Sequence, residues 1–304
     1  FEMEREMKNA LFYIATVLIW GSTWIGIKMQ LGIVDPMVSV AYRFSLAALI
    51  LLTYCYFRGL PMRFSAAQRG YMFLQGLLLF GFNYLFFYYA ELHLTSGLAA
   101  IIFSTILLMN IFNGALFDGQ PIEKRVLAGG GLGLIGIVLV FSPEISSFSL
   151  SQTAIVGILL CTLATLLASL GNITSARNQR NGLPILQTNA FGMTYGAAAM
   201  LLAAVCLGKP FVVDLSATYI SSLLYLAVFG SIIAFGCYLT LVGSIGAGRA
   251  AYATLLFPIV ALGISTIWED YTWTLSSIAG VLLILSGNVY ILKKKQSMKF
   301  SKAA

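Results

Sequence analysis

The chain has 304 residues, of which 59% are apolar and 10% charged, and its mean hydropathy is +0.90. A soluble globular domain carries about 25% charged residues, so this composition excludes one and points to an integral membrane protein. The formal net charge of +7 would suggest nucleic acid for a soluble chain, but here the placement of the charges outweighs their sum, and no nucleic-acid partner is expected.

Apolar runs close to the roughly 20 residues that cross a hydrocarbon core predict helices at 9–30, 36–57, 70–91, 95–117, 125–142, 153–176, 184–207, 217–241, 247–268 and 273–292, which makes ten spans. The first run is too long for a signal-peptide h-region and lacks a small-residue cleavage site, so it is expected to stay as a helix. The FEMERE segment ahead of Met7 lacks an initiating Met and is set aside from the functional argument. Asp35-Pro36, Arg58-Gly59-Leu60-Pro61, Ser142-Pro143 and Gly182-Leu183-Pro184 punctuate the longer connections, while the breaks at Leu94 and Ser244 are short enough to be tight turns.

Polar side chains on such helices either bridge neighbours or line a pathway. On the first helix Trp20, Trp24 and Lys28 are four apart and share a stripe with Thr23, while Gly21 and Gly26 suit close helix approach. Arg43 lies seven residues into the second, roughly 10 Å from its start, and is the most deeply placed charge. With Lys28 it is expected to make the outer half of a pathway electropositive and attract a carboxylate; the alternative is a side chain that snorkels to the headgroups. The third helix carries Phe80, Tyr84, Tyr88 and Glu91 on one stripe with Asn83 beside it, and ends at Glu91 and His93, read either as a titratable pair or as an ordinary loop pair. Further along stand Ser104, Asn110 and Asn113, then Ser169 and Asn172, Gln187 and Asn189, Tyr238, Tyr252 and Thr254. The candidate substrate-binding set is Trp20, Thr23, Trp24, Arg43, Asn83, Tyr84, Tyr88, Asn110, Asn172 and Tyr252. Pro258, which removes a backbone hydrogen bond within the ninth helix, is a candidate hinge or a static kink. Cys55, Cys161, Cys206 and Cys237 fall inside apolar runs without ligand spacing, so no disulfide, metal or cofactor is expected.

With the N-terminus inside, fifteen Lys and Arg fall on inner segments and only Lys28 and Lys209 on outer ones, so both termini are expected in the cytoplasm. The basic tail 294–304 then reads as an orientation signal and lipid-headgroup contact. A shift of 151 residues places Gly97 on Gly248, Asp118 on Glu269, Gly129 on Gly280 and Gly136 on Gly287, and a slightly smaller one places Pro36 on Pro184. Two five-helix halves follow, 7–142 and 151–293. Five is odd, so the second enters the membrane from the opposite face. The expected fold is an all-α integral membrane protein with ten transmembrane helices as two inverted five-helix repeats, and Gly129–Gly136 and Gly280–Gly287 are expected to pack the fifth and tenth helices.

The chain resembles the drug/metabolite transporter superfamily, specifically the EamA-type ten-helix exporters. The resemblance rests on Trp20-Gly21-Ser22 followed by Lys28, on Phe117-Asp118 and Trp268-Glu269 at the family's acidic end-of-helix signature, and on the glycine-bearing helices after each. It covers nearly the whole chain, and the aromatic content is similar to YddG-like amino-acid exporters. In two places the halves differ: Asp118 is followed by Gly119 and Gln120, and Pro258 has Leu107 as its counterpart. The resemblance implies export of small metabolites, often amino acids, across the bacterial cytoplasmic (inner) membrane.

The expected function is export of small amphipathic metabolites, foremost aromatic or bulky aliphatic amino acids, by alternating access. Facilitated diffusion or exchange is the simplest mechanism, because no Asp or Glu falls in mid-span. Rivals within transport are another metabolite class, such as a nucleoside or sugar derivative, and a proton-coupled drug exporter. A membrane enzyme would need a cluster of His, Asp, Glu or Cys in the membrane, and a sensor or scaffold a soluble domain for which no connection is long enough. The expected partners are a small-molecule substrate and membrane lipids, with the monomer as the working unit.

Overall fold

The computed structural model describes residues 2–94, 96–147, 152–268 and 273–292, and every regular element among them is helical. In chain order these are α1 (Glu2–Lys28), α2 (Pro36–Phe57), α3 (Ala66–Glu91), α4 (Ser96–Ser104), α5 (Ile106–Asp118), α6 (Lys124–Val140) and α7 (Ser142–Ser147). They continue with α8 (Gln152–Arg180), α9 (Ile185–Cys206), α10 (Ala217–Ile245), α11 (Ala247–Ala251), α12 (Ala253–Trp268) and α13 (Leu275–Leu292). Seven stretches are long and apolar enough to cross a membrane: α1 from Met3, α2, α3, Ile101–Asp118, α8, α9 and α10. The other expected spans fall on α6, on α11 with α12, and on α13, which are shorter. Leucines such as Leu11, Leu18, Leu49 and Leu202 stand exposed, as a multi-pass membrane protein requires of the side chains that face lipid.

Helix starts differ from the apolar runs where polar capping extends them. α3 begins at Ala66 rather than 70 because Ser65 and Gln68 form a reciprocal capping box, with Ser65 Oγ accepting from Gln68 N (3.2 Å) and Gln68 Oε1 from Ser65 N (2.9 Å). The FEMERE segment is helical from Glu2, and the Glu4–Lys8 pair at 3.2 Å has the i,i+4 spacing that supports a helix. α8 runs on to Arg180 with Arg177 and Arg180 in its last turn, where cations suit the helix dipole. The helix passes through Ser244; the corner lies at Gly246, whose φ of +89° favours glycine.

The expected fourth and ninth helices are each interrupted. Thr105 turns its hydroxyl back to Ile102 O (2.6 Å) and its N–H to the same carbonyl (3.1 Å), tightening the turn between α4 and α5. The second interruption falls at Tyr252, ahead of Pro258, which sits inside α12. Two π-helical stretches carry no sequence signature: Leu77–Phe82 in α3 and Leu226–Ile233 in α10.

α6 lies along α13, α2 along α9, α1 against α10 and α12, and α8 against α3 and α5. Glycine sets the closest of these approaches. A Cβ on Gly136 would stand 2.6 Å from Gly280 O, and one on Gly287 would stand 2.6 Å from Gly129 O. The α6–α13 seam is therefore backbone against backbone. α1 meets α12 with glycine on one side only, since a Cβ on Gly21 would stand 2.6 Å from the Val260 side chain and 3.2 Å from Phe257 O.

Candidate functional site

Between α1, α3, α4, α5, α8, α10 and α12 lies a cavity with an apolar wall rich in aromatic rings. Trp20 is its centrepiece: the indole lies 4.9 Å from Phe235, 4.9 Å from Tyr238 and 5.5 Å from Phe257, centroid to centroid. Its Nε1 donates to Gly230 O at 3.0 Å, inside the π-helical stretch of α10. π-Helical turns displace the regular i→i−4 ladder and recur at functional sites. The polar groups of this wall are few. Thr23 Oγ1 donates to Trp20 O (2.8 Å) and Asn83 Nδ2 to Ala164 O (3.0 Å), so each is anchored to a backbone carbonyl.

A second, more polar cavity adjoins it, with Asp118, Glu123, Gln179, Arg180 and Arg249 among its lining residues. Its charges are paired across helix ends: Arg180 with Asp118, and Arg249 Nη2 with Glu123 Oε2 at 2.5 Å. Asn110 lines this vestibule, whereas Asn172 and Tyr238 line the aromatic cavity. Asn172 Nδ2 donates to Asn110 Oδ1 (3.4 Å) and to Tyr238 Oη (3.1 Å), so one amide joins α5, α8 and α10 in the wall between the two spaces. Asn113 Nδ2 adds a tie to Ser169 Oγ at 2.9 Å.

Arg43 is 1% exposed and has no acidic partner among the described residues. It does not snorkel. Its Nε donates to Ser231 Oγ (2.9 Å), and Ser231 in turn donates to Leu226 O (3.0 Å) within the π-helical stretch. The guanidinium carbon stands 4.7 Å from the centroid of Tyr84, a cavity-lining ring, while Nη1 has no hydrogen-bond partner. Beside this layer Tyr88 Oη donates to Gln30 Oε1 at 3.0 Å. On the loops that follow α1 and α9, Asp35 and Lys209 pair at 2.9 Å, and the Asp35 carboxylate holds the Lys209 ammonium above its ordinary pKa.

Of the expected binding residues, Trp20, Thr23, Asn83, Tyr84 and Asn172 come together around the aromatic cavity, and Asn110 faces the vestibule. Arg43 and Tyr88 lie one layer behind the wall. Tyr252 is elsewhere. Its hydroxyl donates to Ile284 O (2.9 Å) between α6 and α13, in the glycine seam, where it fills the room that Gly133 and Gly287 leave. The side chain of Trp24 lies outside the described residues, as do Glu269 and the tail 294–304. Pro258 follows Phe257, a wall residue. Among the described residues no hydrogen bond or ion pair joins Glu91 to His93; His93 is exposed, and Glu91 Oε1 is buried without a partner.

Several residues of the site went unread in the sequence. Phe235 and Ser231 are neutral side chains in an apolar run, and only the π-helical turn brings them to Trp20 and Arg43. The Asp118–Arg180 pair joins positions 62 residues apart. A buried amide cluster, in which Gln75 Nε2 donates to Asn189 Oδ1 (3.4 Å) and Asn178 Nδ2 to Gln75 Oε1 (3.0 Å), ties α3, α8 and α9; polarity within an apolar run was the available signal at Gln75.

Comparison with known proteins places this arrangement among transporters. The model of the EamA-like transporter family matches residues 7–142 and 155–293. A protein described as a probable amino-acid metabolite efflux pump from Escherichia coli K12 is 24% identical over 303 residues, covering 96% of this chain and 98% of its own. PagO of Salmonella typhimurium is 23% identical over 269 residues, covering 88% and 86%. The inner membrane transporter YedA of Escherichia coli K12 is 28% identical over 265 residues, covering 85% and 81%. One solved crystal structure shares the fold with a TM-score of 0.78 at 17% identity, over 93% of this chain and 96% of that one.

Proposed function

The chain belongs to the EamA-like transporter family, and from that premise we propose that it exports small amphipathic metabolites, foremost aromatic or bulky aliphatic amino acids, by alternating access. The observation that carries this reading is the aromatic cavity behind an amide-and-phenol wall, with a polar vestibule on the other side of that wall. The aromatic space suits an apolar side chain. Arg43, a buried cation without an acid beside Tyr84, supplies the attraction for a carboxylate. Trp20, Thr23, Asn83, Tyr84 and Asn172 form the cavity wall in this reading, Asn110 faces the inner approach, and Tyr252 serves the seam. The relative named as a probable amino-acid metabolite efflux pump supports the same substrate class.

Two inverted five-helix halves, 7–142 and 151–293, underlie the cycle, with both termini cytoplasmic and a tail at 294–304 that meets lipid headgroups. Three observations support the inversion. The π-helical stretches start at Leu77 and Leu226 in α3 and α10, which the repeat makes counterparts, and Ser65 and Ser216 cap those helices alike. α1 packs on α10 and α12 while α8 packs on α3 and α5, an exchange of partners between halves. In the seam Gly129 meets Gly287 and Gly136 meets Gly280, the crossed pairing that a two-fold axis between copies generates. The vestibule, rimmed by Arg180 and Arg249, then faces the cytoplasm.

The test is efflux of a panel of labelled amino acids from proteoliposomes, with and without a pH gradient. Flux of an aromatic or bulky aliphatic amino acid is expected; absence of flux for every amino acid refutes the substrate class and leaves the fold untouched.

A further inference from the structure

In the wall between the two cavities, one hydrogen-bond acceptor has been left over. Asn172 is 1% exposed, and its Oδ1 has no partner. The orientation of the amide follows from its neighbours. Asn110 Nδ2 lies 3.3 Å from Ala247 O, and a carbonyl can only accept, so the Asn110 oxygen is the atom turned toward Asn172. Asn172 must answer with its nitrogen, which also donates to Tyr238 Oη. Both amide hydrogens are then engaged. The oxygen is free, on a residue that lines the aromatic cavity.

Buried polar groups are almost always paired, and an unpaired acceptor in a dry wall carries a desolvation cost that a donor would relieve. Of the other polar groups of this wall, Thr23 and Asn83 each give one donor to a backbone carbonyl. Among the described residues lining the aromatic cavity none is an Asp or a Glu, so a cationic group arriving there meets no carboxylate from them. We infer that Asn172 Oδ1 is the acceptor for the primary ammonium of the transported molecule, and that Asn110 and Tyr238 are positioning residues that hold the amide with its oxygen free. The inference rests on the reading of this cavity as the substrate site. A neutral acceptor in place of a carboxylate fits a transporter that must release what it holds: it rewards the ammonium over a group without N–H donors while leaving the substrate's net charge unmatched. The Arg43 guanidinium, whose Nη1 has no hydrogen-bond partner, stands over the ring of Tyr84, which lines the same cavity as Asn172, so the cavity is flanked by a cationic donor and a free acceptor, the complements of a zwitterion's carboxylate and ammonium.

The test uses the full chain and two probes that differ in one group, L-phenylalanine and 3-phenylpropionate, the same skeleton without the ammonium. The wild type is expected to bind phenylalanine about tenfold more tightly or better, the factor typical of one hydrogen bond to a charged group. Asn172→Leu is expected to bring the two probes within about twofold of each other, through loss of phenylalanine affinity alone. Asn172→Asp keeps an acceptor and adds charge, so it is expected to retain or widen the preference, which a merely structural amide would not do; it also carries the test should the leucine variant fail to fold. A wild-type protein that binds both probes equally, or a preference that survives Asn172→Leu, or one lost in a folded Asn172→Asp, overturns the assignment. Binding of neither probe by the wild type overturns the assignment for aromatic substrates, while the efflux panel decides separately whether the amino-acid reading stands.

Discussion

Replacing Arg43 separates what this residue costs the fold from what it contributes to transport. The side chain is 1% exposed, bonds to Ser231 through Nε and faces Tyr84, and no carboxylate among the described residues offsets its charge. A buried, unpaired cation is a burden on the folded state, so Arg43→Gln, which keeps a donor for Ser231, is expected to unfold no more easily than the wild type in detergent. Transport should move the other way. A carboxylate at about 4 Å gains roughly 4 kcal/mol from a unit charge at an effective dielectric of 20, and desolvation leaves a net of about 1.5–3 kcal/mol for a charge-assisted hydrogen bond. That converts to a loss of about 10- to 100-fold in kcat/KM for Arg43→Gln in amino-acid efflux from proteoliposomes. Arg43→Lys keeps the charge, but its ammonium gathers its three donors at one point on a flexible stem and lacks the planar fork that spans Ser231 and the Tyr84 face, so an intermediate loss is expected. Unchanged efflux for both variants refutes the role; reduced efflux accompanied by lower thermal stability would instead assign Arg43 to structure.

Gly136→Leu is expected to destabilise the protein by about 1–3 kcal/mol or prevent folding, because its side chain enters a seam already filled by Gly280 O, while Gly131→Ala, with nothing within 4 Å of the new Cβ, stays neutral; thermal unfolding in detergent compares them. Tyr252→Phe loses the bond to Ile284 O and is expected to cost about 0.5–1.5 kcal/mol with KM unchanged; a raised KM at intact stability returns Tyr252 to the binding set. Asp118→Asn breaks the ion pair with Arg180; the Arg180 side chain is 46% exposed but that of Asp118 only 5%, so a loss of about 1–2 kcal/mol is expected, between that of an exposed pair and that of a buried charge-assisted hydrogen bond. An imposed pH gradient is expected to leave flux unchanged, and Glu91→Gln likewise; a flux that follows the gradient makes Glu91 a coupling residue.

The helices were legible because hydrophobic runs of membrane length leave little choice: lipid offers no partner for the backbone, so the chain must satisfy itself. Their ends were less so. Ser65 and Gln68 start α3 through side-chain bonds that hydropathy does not register. The π-helical stretches were invisible, since LLLFGF and LAVFGSII read as ordinary apolar helix. Within the site, Trp20, Tyr84 and Asn172 were identifiable from depth and polarity. Tyr252, chosen on the same grounds, lies in the seam instead of the cavity wall, because a ring with a hydroxyl suits either place and the backbone approach of α6 and α13 is not written in its own residue type. Arg43 was singled out by depth, but its freedom from an acid is a fact of three-dimensional surroundings.

The glycine seam between α6 and α13 constrains how this protein can change. Most tight contacts tolerate a larger residue on one side if a smaller one appears opposite. Here Gly136 faces the backbone of Gly280, and Gly129 that of Gly287, so the opposite side is already at the minimum size. Trimming the side chains that also stand there, such as Ile291 at Gly129 or Tyr252 at Gly287, leaves the facing carbonyls in place, so no second-site substitution removes the backbone contact. Added bulk at any of the four positions is relieved only by moving a whole helix, which leaves directed evolution of this transporter free to reshape the cavity wall but not this line.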